Sequence, residues 1–141
     1  METATRNSAG RAPGLRAGAR PPCPAPSILV VDDEPLIRMM AAEILSDAGY
    51  AVAEAASADE ALRMVERESN RFSHVFTDVQ MPGAIDGLML AHVLTTLYPE
   101  IMVVVTSSDR RLEGEAIEQF FRFVPKPWTP IDVLNIVIPA R

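Results

Sequence analysis

The sequence has little of what would tie a protein to a membrane, a disulfide framework or a nucleic acid. One cysteine, Cys23, among 141 residues excludes an internal disulfide and a thiolate metal site. The longest apolar runs, Ile28–Val31 and Ile101–Val105, are far shorter than the roughly 20 residues that cross a bilayer. A net charge of −6 argues against direct nucleic-acid binding, which needs a basic face. We therefore expect a cytoplasmic protein that binds neither nucleic acid nor membrane.

Charge and composition divide the chain near residue 27. Residues 1–26 are rich in proline, glycine, alanine and arginine and carry a side-chain charge of +3. Residues 27–141 hold 18 acidic and nine basic side chains, which sum to −9. Because the first segment has almost no large apolar side chains, it cannot bury enough surface to offset its ordering entropy. We predict a disordered arm over residues 1–26 and a single folded domain over residues 27–141.

From Ser27 onward, short runs rich in β-branched residues alternate with segments of helical spacing. The runs predict strands at Ile28–Val31, Val52–Ala53, Val75–Thr77, Ile101–Val105 and Phe121–Val124. Proline, glycine and capping signals predict helices at Glu34–Ala48, from Ser57 toward Ser69, from Asp86 to Tyr98, at Arg110–Gln119, and from Thr129 to no further than Pro139. Strict alternation predicts an α/β fold in which helices cover both faces of a parallel sheet.

The apolar spacing also predicts which side chains are buried. Leu36, Met40 and Ile44 recur every four residues and are expected to form the buried face of the first helix. Five methionines are expected to fill gaps in the core, namely Met39, Met40, Met64, Met89 and Met102.

Polar side chains follow four of the five predicted strands. They are Asp32, Asp33 and Glu34 after the first, Thr77 and Asp78 after the third, Thr106, Ser107 and Ser108 after the fourth, and Lys126 after the fifth. The carboxyl ends of parallel strands meet at one edge of the sheet, where ligands bind in such folds. Two or three carboxylates without histidine or cysteine favour a hard divalent ion, and suit Mg²⁺ better than Ca²⁺. Lys126, the only lysine beside twelve arginines, would add a fixed positive charge.

The motifs DDE, TDVQMPG, TSS and KPW, in this order after strands one, three, four and five, resemble the receiver domain of bacterial two-component response regulators. The resemblance covers Ser27–Val137. It implies a flavodoxin-like (βα)5 fold, a doubly wound five-stranded parallel sheet in the order 2-1-3-4-5. It also implies that Asp78 accepts a phosphoryl group from a sensor histidine kinase or a histidine phosphotransfer protein.

The same resemblance assigns the metal ligands. Asp33, Asp78 and the backbone carbonyl of Gln80 would hold Mg²⁺, with Asp32 acting through a water molecule. The loop VQMPGAIDG after Asp78 is one residue longer before its Asp-Gly pair than the commonest family form, which makes the geometry above the metal an open question. A cis peptide between Lys126 and Pro127 is also implied.

Further roles follow from the resemblance. Thr106 and Lys126 would bind the phosphoryl group, Thr106 and Phe123 would form a conformational switch, and Gln80 and Ser108 would modulate dephosphorylation. The switched surface would be the face formed by the fourth helix, fifth strand and fifth helix, which would bind a downstream protein.

Each of these residues alone has an ordinary structural explanation. Acids such as Asp32 and Asp33 favour a helix N-terminus, an aspartate such as Asp78 forms turns, and Thr106 suits a strand or a helix cap. Phe123 alone is a core residue. Their occurrence together at adjacent strand ends favours the functional interpretation.

Three functions stay open on the sequence. The first is a stand-alone receiver, monomer or weak homodimer, that catalyses only its own phosphorylation and dephosphorylation; no output domain is expected after the fifth helix. The second is a pseudo-receiver, an interaction module with this fold that phosphate does not switch. The third is a Mg²⁺-dependent phosphohydrolase, which ranks lowest because the first strand lacks an Asp-x-Asp motif.

Overall fold

A computed structural model describes residues 27–109 and 121–137 of the chain. Within these residues, five parallel strands form one sheet in the order β2-β1-β3-β4-β5. The strands are β1 (Ser27–Val31), β2 (Ala51–Ala55), β3 (Phe72–Asp78), β4 (Met102–Ser107) and β5 (Arg122–Pro125). The predicted flavodoxin-like α/β fold and its strand order are confirmed.

The described helices agree closely with the predicted ones. They are α1 (Pro35–Asp47), α2 (Ala58–Arg67), α3 (Gly87–Leu97) and α4 (Pro130–Leu134), the last being the fifth predicted helix. Single 3₁₀ turns follow α2 and α4, at Ser69–Arg71 and Asn135–Val137. The predicted arm, the predicted helix Arg110–Gln119 and Pro139 lie outside the described residues. In the part of the chain that is described, no helix is long and apolar enough to span a bilayer.

Side-chain caps fix where three of these helices begin. The side chains of Ser57 and Asp86 each accept a hydrogen bond from the backbone N–H three residues later, at 3.1 and 2.9 Å. Thr129 and Asp132 bond reciprocally, each side chain accepting from the other residue's N–H. These bonds satisfy N–H groups that have no partner within the helix, which is why the capping signals predicted the starts correctly.

The core consists of two apolar clusters, one on each face of the sheet. Because side chains alternate along a strand, Leu29 and Val31 face one cluster whereas Ile28 and Val30 face the other. The larger cluster packs under α2 and α3, and the smaller one packs under α1 and α4. Covering both faces in this way leaves the carboxyl ends of the strands as the open edge of the layered structure.

The predicted buried face of α1 is wrong. Leu36 is 73% exposed and Met40 is 50% exposed, and only Ile44 of the predicted stripe packs partly against the core. Ala41 and Leu45 face the sheet instead. Both stripes have the same spacing of four residues, and alanine in the buried one lets the helix lie close to the strands.

The methionine prediction is also largely wrong. Met39, Met40, Met89 and Met102 are exposed, and only Met64 packs partly against the larger cluster. Branched residues of the strands, together with alanine, valine and leucine on the helices, fill most of the interior, and the buried methionine among the described residues is Met81 in the loop after β3.

Two substitutions on α1 test which face is buried. Leu45→Ala is expected to lower the free energy of unfolding by about 2–5 kcal/mol, because it leaves a cavity at a fully buried site. Leu36→Ala is expected to change it by less than about 0.5 kcal/mol, because that side chain is mostly in water. Urea denaturation followed by circular dichroism measures both, and similar losses at the two positions would contradict the described packing.

Candidate functional site

Three carboxylates meet at the carboxyl end of the sheet. Asp32 and Asp33 directly follow β1, and Asp78 ends the adjacent strand β3. Their carboxylate oxygens lie within 4.8 Å of one another. Asp32 and Asp78 are buried, whereas Asp33 is exposed at the mouth of the cluster. The convergence expected from the strand-end pattern is therefore present.

Among the residues that the structure describes, Lys126 is the cation in contact with this cluster. Its Nζ lies 3.2 Å from Asp78 Oδ2 and 3.4 Å from Asp32 Oδ2. Burial alone would lower the pKa of Lys126, but the neighbouring carboxylates of Asp78 and Asp32 outweigh it and raise that pKa above its usual value. The backbone N–H of Lys126 donates to Ser107 O at 2.9 Å, and the peptide between Lys126 and Pro127 is cis, as the resemblance implied.

One ammonium does not balance three carboxylates. Burial raises the pKa of Asp78 and the charge of Asp32 raises it further, while Lys126 opposes both effects without cancelling them. Among the described residues, three carboxylates stand against one ammonium in contact with them, which leaves an excess of negative charge that a further cation would relieve. Its donors are carboxylate oxygens, and the cluster contains neither histidine nor cysteine, so the residues present fit a hard divalent ion such as Mg²⁺.

Thr106 supplies a hydroxyl without a partner beside the cluster. It pairs in register with Asp78 across β3 and β4. Its Oγ1 is buried, and within residues 27–109 and 121–137 it has no hydrogen-bond partner. Leaving a buried hydroxyl unpaired costs about 1–3 kcal/mol, so an acceptor oxygen bound at the cluster would be stabilised by this group.

The loop after β3 is anchored on the backbone of Asp78. Gly87 N–H donates to Val79 O at 3.0 Å, and a Cβ atom on Gly87 would overlap the carbonyl oxygen of Asp78. The Thr77 hydroxyl donates to the same carbonyl at 3.0 Å. Position 87 therefore needs glycine. Sequence reasoning missed this residue, although the Asp-Gly pair at the start of α3 was a visible signal.

Arg38 on α1 is a second contact that sequence reasoning missed. Its Nη1 donates to the backbone carbonyl of Asp32 at 2.8 Å, and its Nε lies 3.1 Å from Glu54 Oε1 on β2. The arginine thus joins the loop that carries the acid pair to the edge strand of the sheet. The spacing of apolar residues along a helix cannot predict a contact between an arginine side chain and a backbone carbonyl.

The remaining predicted site residues lie around the cluster with different degrees of contact. Gln80 is exposed, and its N–H donates to Asp78 Oδ1 at 3.3 Å. Ser108 is exposed beyond β4, and Phe123 is partly buried against the larger core cluster, opposite Val105 in register. Their roles in metal binding, dephosphorylation and switching stay predictions.

A groove of about 360 Å³ opens next to Lys126. The Trp128 ring packs against Phe76 at a centroid distance of 6.1 Å and forms one wall. Most of the lining is apolar, with single acidic and basic side chains; the lining residues include Glu34, Ile37, Met40, Lys126, Pro127 and Trp128.

The sequence model of the response regulator receiver domain matches residues 28–138. This chain belongs to that family. The receiver domain is the phosphorylation-controlled part of two-component signalling systems, and the acid cluster at the carboxyl ends of its strands is in keeping with that membership.

Curated relatives are considerably longer than this receiver. It is 37% identical over 108 residues to the nitrogen assimilation regulatory protein NtrX of Azorhizobium caulinodans, a match covering 74% of this chain and 23% of that protein. It is 34% identical over 106 residues to the sensor kinase CckA of Brucella abortus, covering 73% of this chain and 11% of that protein. The chain therefore spans less than a quarter of the length of these two relatives.

Solved receiver structures have the same fold over most of their length. The receiver domain of NtrX from Brucella abortus matches with a TM-score of 0.69 and 32% identity, covering 77% of this chain and 92% of that one. A CheY-like receiver domain protein from Methanospirillum hungatei matches with a TM-score of 0.71 and 28% identity, covering 79% and 89% respectively.

Neutralising Asp78 is expected to stabilise this receiver in metal-free buffer. The pKa of Asp78 is raised in the folded state, so the folded protein binds more protons than the unfolded one between the ordinary value of 3.8 and the raised value. The free energy of unfolding therefore falls as the pH rises between these two values. Asp78→Asn should therefore increase the free energy of unfolding at pH 7 by about 1 kcal/mol. The gain should disappear as the pH falls below 3.8.

Urea denaturation with a chelator present, at pH 7 and at pH 3, measures this effect. Glu100→Gln, at an exposed acid outside the cluster, is the matched control. An equal gain in the control, or a loss of stability in Asp78→Asn at pH 7, would contradict the charge imbalance.

Proposed function

We propose that this receiver accepts a phosphoryl group on Asp78, with Mg²⁺ bound beside it, and thereby switches a surface for protein partners. The observation that carries the proposal is the environment of that carboxylate. It lies beside two further carboxylates, 3.2 Å from the Lys126 ammonium, and in register with a buried Thr106 hydroxyl that lacks a partner in the described part of the chain.

In the proposed reaction, a carboxylate oxygen of Asp78 attacks the phosphorus of a phosphohistidine on a sensor kinase or phosphotransfer protein. The new O–P bond forms as the P–N bond breaks, and the imidazole nitrogen leaves with the electron pair and takes up a proton. Lys126 lies close enough to neutralise charge on the transferred oxygens. The same residues would catalyse hydrolysis of the phosphoaspartate, with Gln80 and Ser108 controlling access of water.

The metal would be held by Asp33, Asp78 and the carbonyl of Gln80, and by Asp32 through water. When bound, Mg²⁺ supplies positive charge against the transferring phosphoryl oxygens. The engagement of Asp32 supports this division, because its carboxylate already accepts from Glu34 N–H and pairs with Lys126, whereas Asp33 is exposed.

Switching would follow from the charge that phosphorylation adds. A phosphoryl group brings about −1.5 to −2 charges and three acceptor oxygens, which would draw in the Thr106 hydroxyl and the Lys126 ammonium. By the family resemblance, movement of Thr106 would leave space into which Phe123 turns; the two residues lie on adjacent strands, one position apart in register. The altered face would comprise β5, α4 and residues 110–119, the last of which lie outside the described part.

The surroundings of the site support a protein as the phosphoryl donor. A phosphohistidine reaches Asp78 only if its carrier covers the mouth of the cluster, where the groove next to Lys126 offers apolar wall residues such as Ile37 and Trp128. The proposed partners are accordingly a sensor histidine kinase or histidine phosphotransfer protein, and a downstream protein target. Action without an attached output domain, as a monomer or weak homodimer, stays a prediction.

Intact mass spectrometry tests the proposal directly. Incubation with Mg²⁺ and a small acyl phosphate should add about 80 Da to the wild type and nothing to Asp78→Asn, because the variant has no carboxylate to accept the group. Asp59→Asn, which alters an acid outside the cluster, should gain mass like the wild type. Urea denaturation verifies that both variants fold.

The outcomes separate the two receiver hypotheses. Mass gained by Asp78→Asn would contradict Asp78 as the acceptor. A folded wild type that gains no mass and binds no Mg²⁺ at millimolar concentration would favour the phosphate-independent interaction module. Repeated turnover of a phosphoester would favour a phosphohydrolase.

A further inference from the structure

Arg38 fixes the peptide that joins the two adjacent acids of the cluster. The backbone of Asp32 is held on both sides, because its N–H donates to Ala55 O on β2 at 3.2 Å and its carbonyl accepts from Arg38 Nη1 at 2.8 Å. That carbonyl belongs to the same planar peptide unit as the N–H of Asp33. The orientation of this plane therefore determines where the Asp33 side chain begins.

Asp33 depends on this backbone constraint more than the other two acids do. Asp32 accepts a hydrogen bond from Glu34 N–H and pairs with Lys126, and Asp78 also pairs with Lys126. Within residues 27–109 and 121–137, the Asp33 carboxylate has neither a hydrogen bond nor an ion pair. Its position near the other carboxylates therefore depends on the main chain and on its own side-chain rotamer.

Glu54 offsets the positive charge that Arg38 brings close to the metal site. The Arg38 side chain is only 18% exposed, and its guanidinium would repel a divalent ion at the neighbouring cluster if it stood alone. Its Nε lies 3.1 Å from Glu54 Oε1, which offsets that charge. The forked guanidinium can contact both the carbonyl and the carboxylate, which a single ammonium on a flexible stem does less well.

We propose that Arg38, held and neutralised by Glu54, is a positioning residue for the metal site, which orients the Asp32–Asp33 peptide so that Asp33 reaches the other carboxylates. The inference deepens the proposed function and rests on it. It assigns a role to an ion pair between α1 and the edge strand β2 that touches neither the metal nor the phosphoryl group.

Calorimetric titration with Mg²⁺, without any phosphoryl donor, tests the inference. Arg38→Met keeps much of the apolar stem and removes both contacts, and is expected to weaken Mg²⁺ binding about tenfold, the usual effect of losing a group that orients a metal ligand. The sign is diagnostic, because removing a nearby cation by itself would strengthen binding. Arg71→Met is the matched control, since Arg71 is also ion-paired, with Glu68 at 2.8 Å, but lies at the opposite end of β3.

Glu54→Gln provides a second, independent measurement. It keeps an acceptor for Arg38 but leaves the guanidinium charge uncompensated, so Mg²⁺ binding should weaken less than in Arg38→Met. The difference from the wild type, measured at the same salt concentration, should shrink as that concentration rises. Urea denaturation of each variant separates loss of the site from loss of the fold. If Arg38→Met does not fold, Arg38→Lys replaces it and should also weaken binding, because an ammonium on a flexible stem lacks the rigid fork that reaches both the carbonyl and the carboxylate.

The results distinguish this inference from the function on which it rests. A wild type that binds no Mg²⁺ would overturn both. A wild type that binds Mg²⁺ while folded Arg38→Met binds it equally well or more tightly would overturn the positioning role alone. Equal weakening in Arg38→Met and Arg71→Met would show an effect that does not depend on the contact with the Asp32 carbonyl, and would likewise overturn it.

Discussion

The repulsion among three carboxylates is the constraint on which the rest of the site depends. Asp32, Asp33 and Asp78 lie within 4.8 Å of one another, with Lys126 as the cation in contact with two of them. Such a cluster persists only because the sheet holds the ends of β1 and β3 side by side and β5 carries the lysine toward them. Burial, with a smaller contribution from Asp32, raises the pKa of Asp78 against the opposing effect of Lys126. Three carboxylates beside one ammonium give the site its capacity for a divalent ion.

The surrounding structure keeps the cluster in place through backbone contacts. Gly87 packs so closely on the carbonyl of Asp78 that a side chain would not fit, and Arg38 holds the carbonyl of Asp32 against β2. Both contacts involve the backbone carbonyl of an aspartate, so they do not occupy the carboxylate oxygens that would bind a ligand. The Thr106 hydroxyl has no hydrogen-bond partner among the described residues. An incoming phosphoryl oxygen could accept a hydrogen bond from it.

Much of this arrangement could be predicted from the sequence, because alternating strand and helix patterns bring strand-end residues to one edge whatever the details of packing. The pattern could not identify the buried face of α1, since the stripe containing Leu36 and the stripe containing Leu45 have the same spacing. It could not find Arg38 either, because a contact with the backbone leaves no periodicity; for Gly87 the signal was the Asp-Gly pair rather than any spacing. The proposed roles of Gln80 and Phe123 rest on family resemblance.

The most direct test of the charge imbalance compares two measurements on Lys126→Met. If the site carries one cation too few, removing the lysine should tighten Mg²⁺ binding in calorimetric titration, because a competing positive charge is lost. The same variant should take up a phosphoryl group from acyl phosphate more slowly, because the transferred oxygens lose a partner. Opposite changes in the two quantities are the predicted result. Weaker Mg²⁺ binding in a variant that still folds, or an unchanged rate of phosphorylation, would contradict the account.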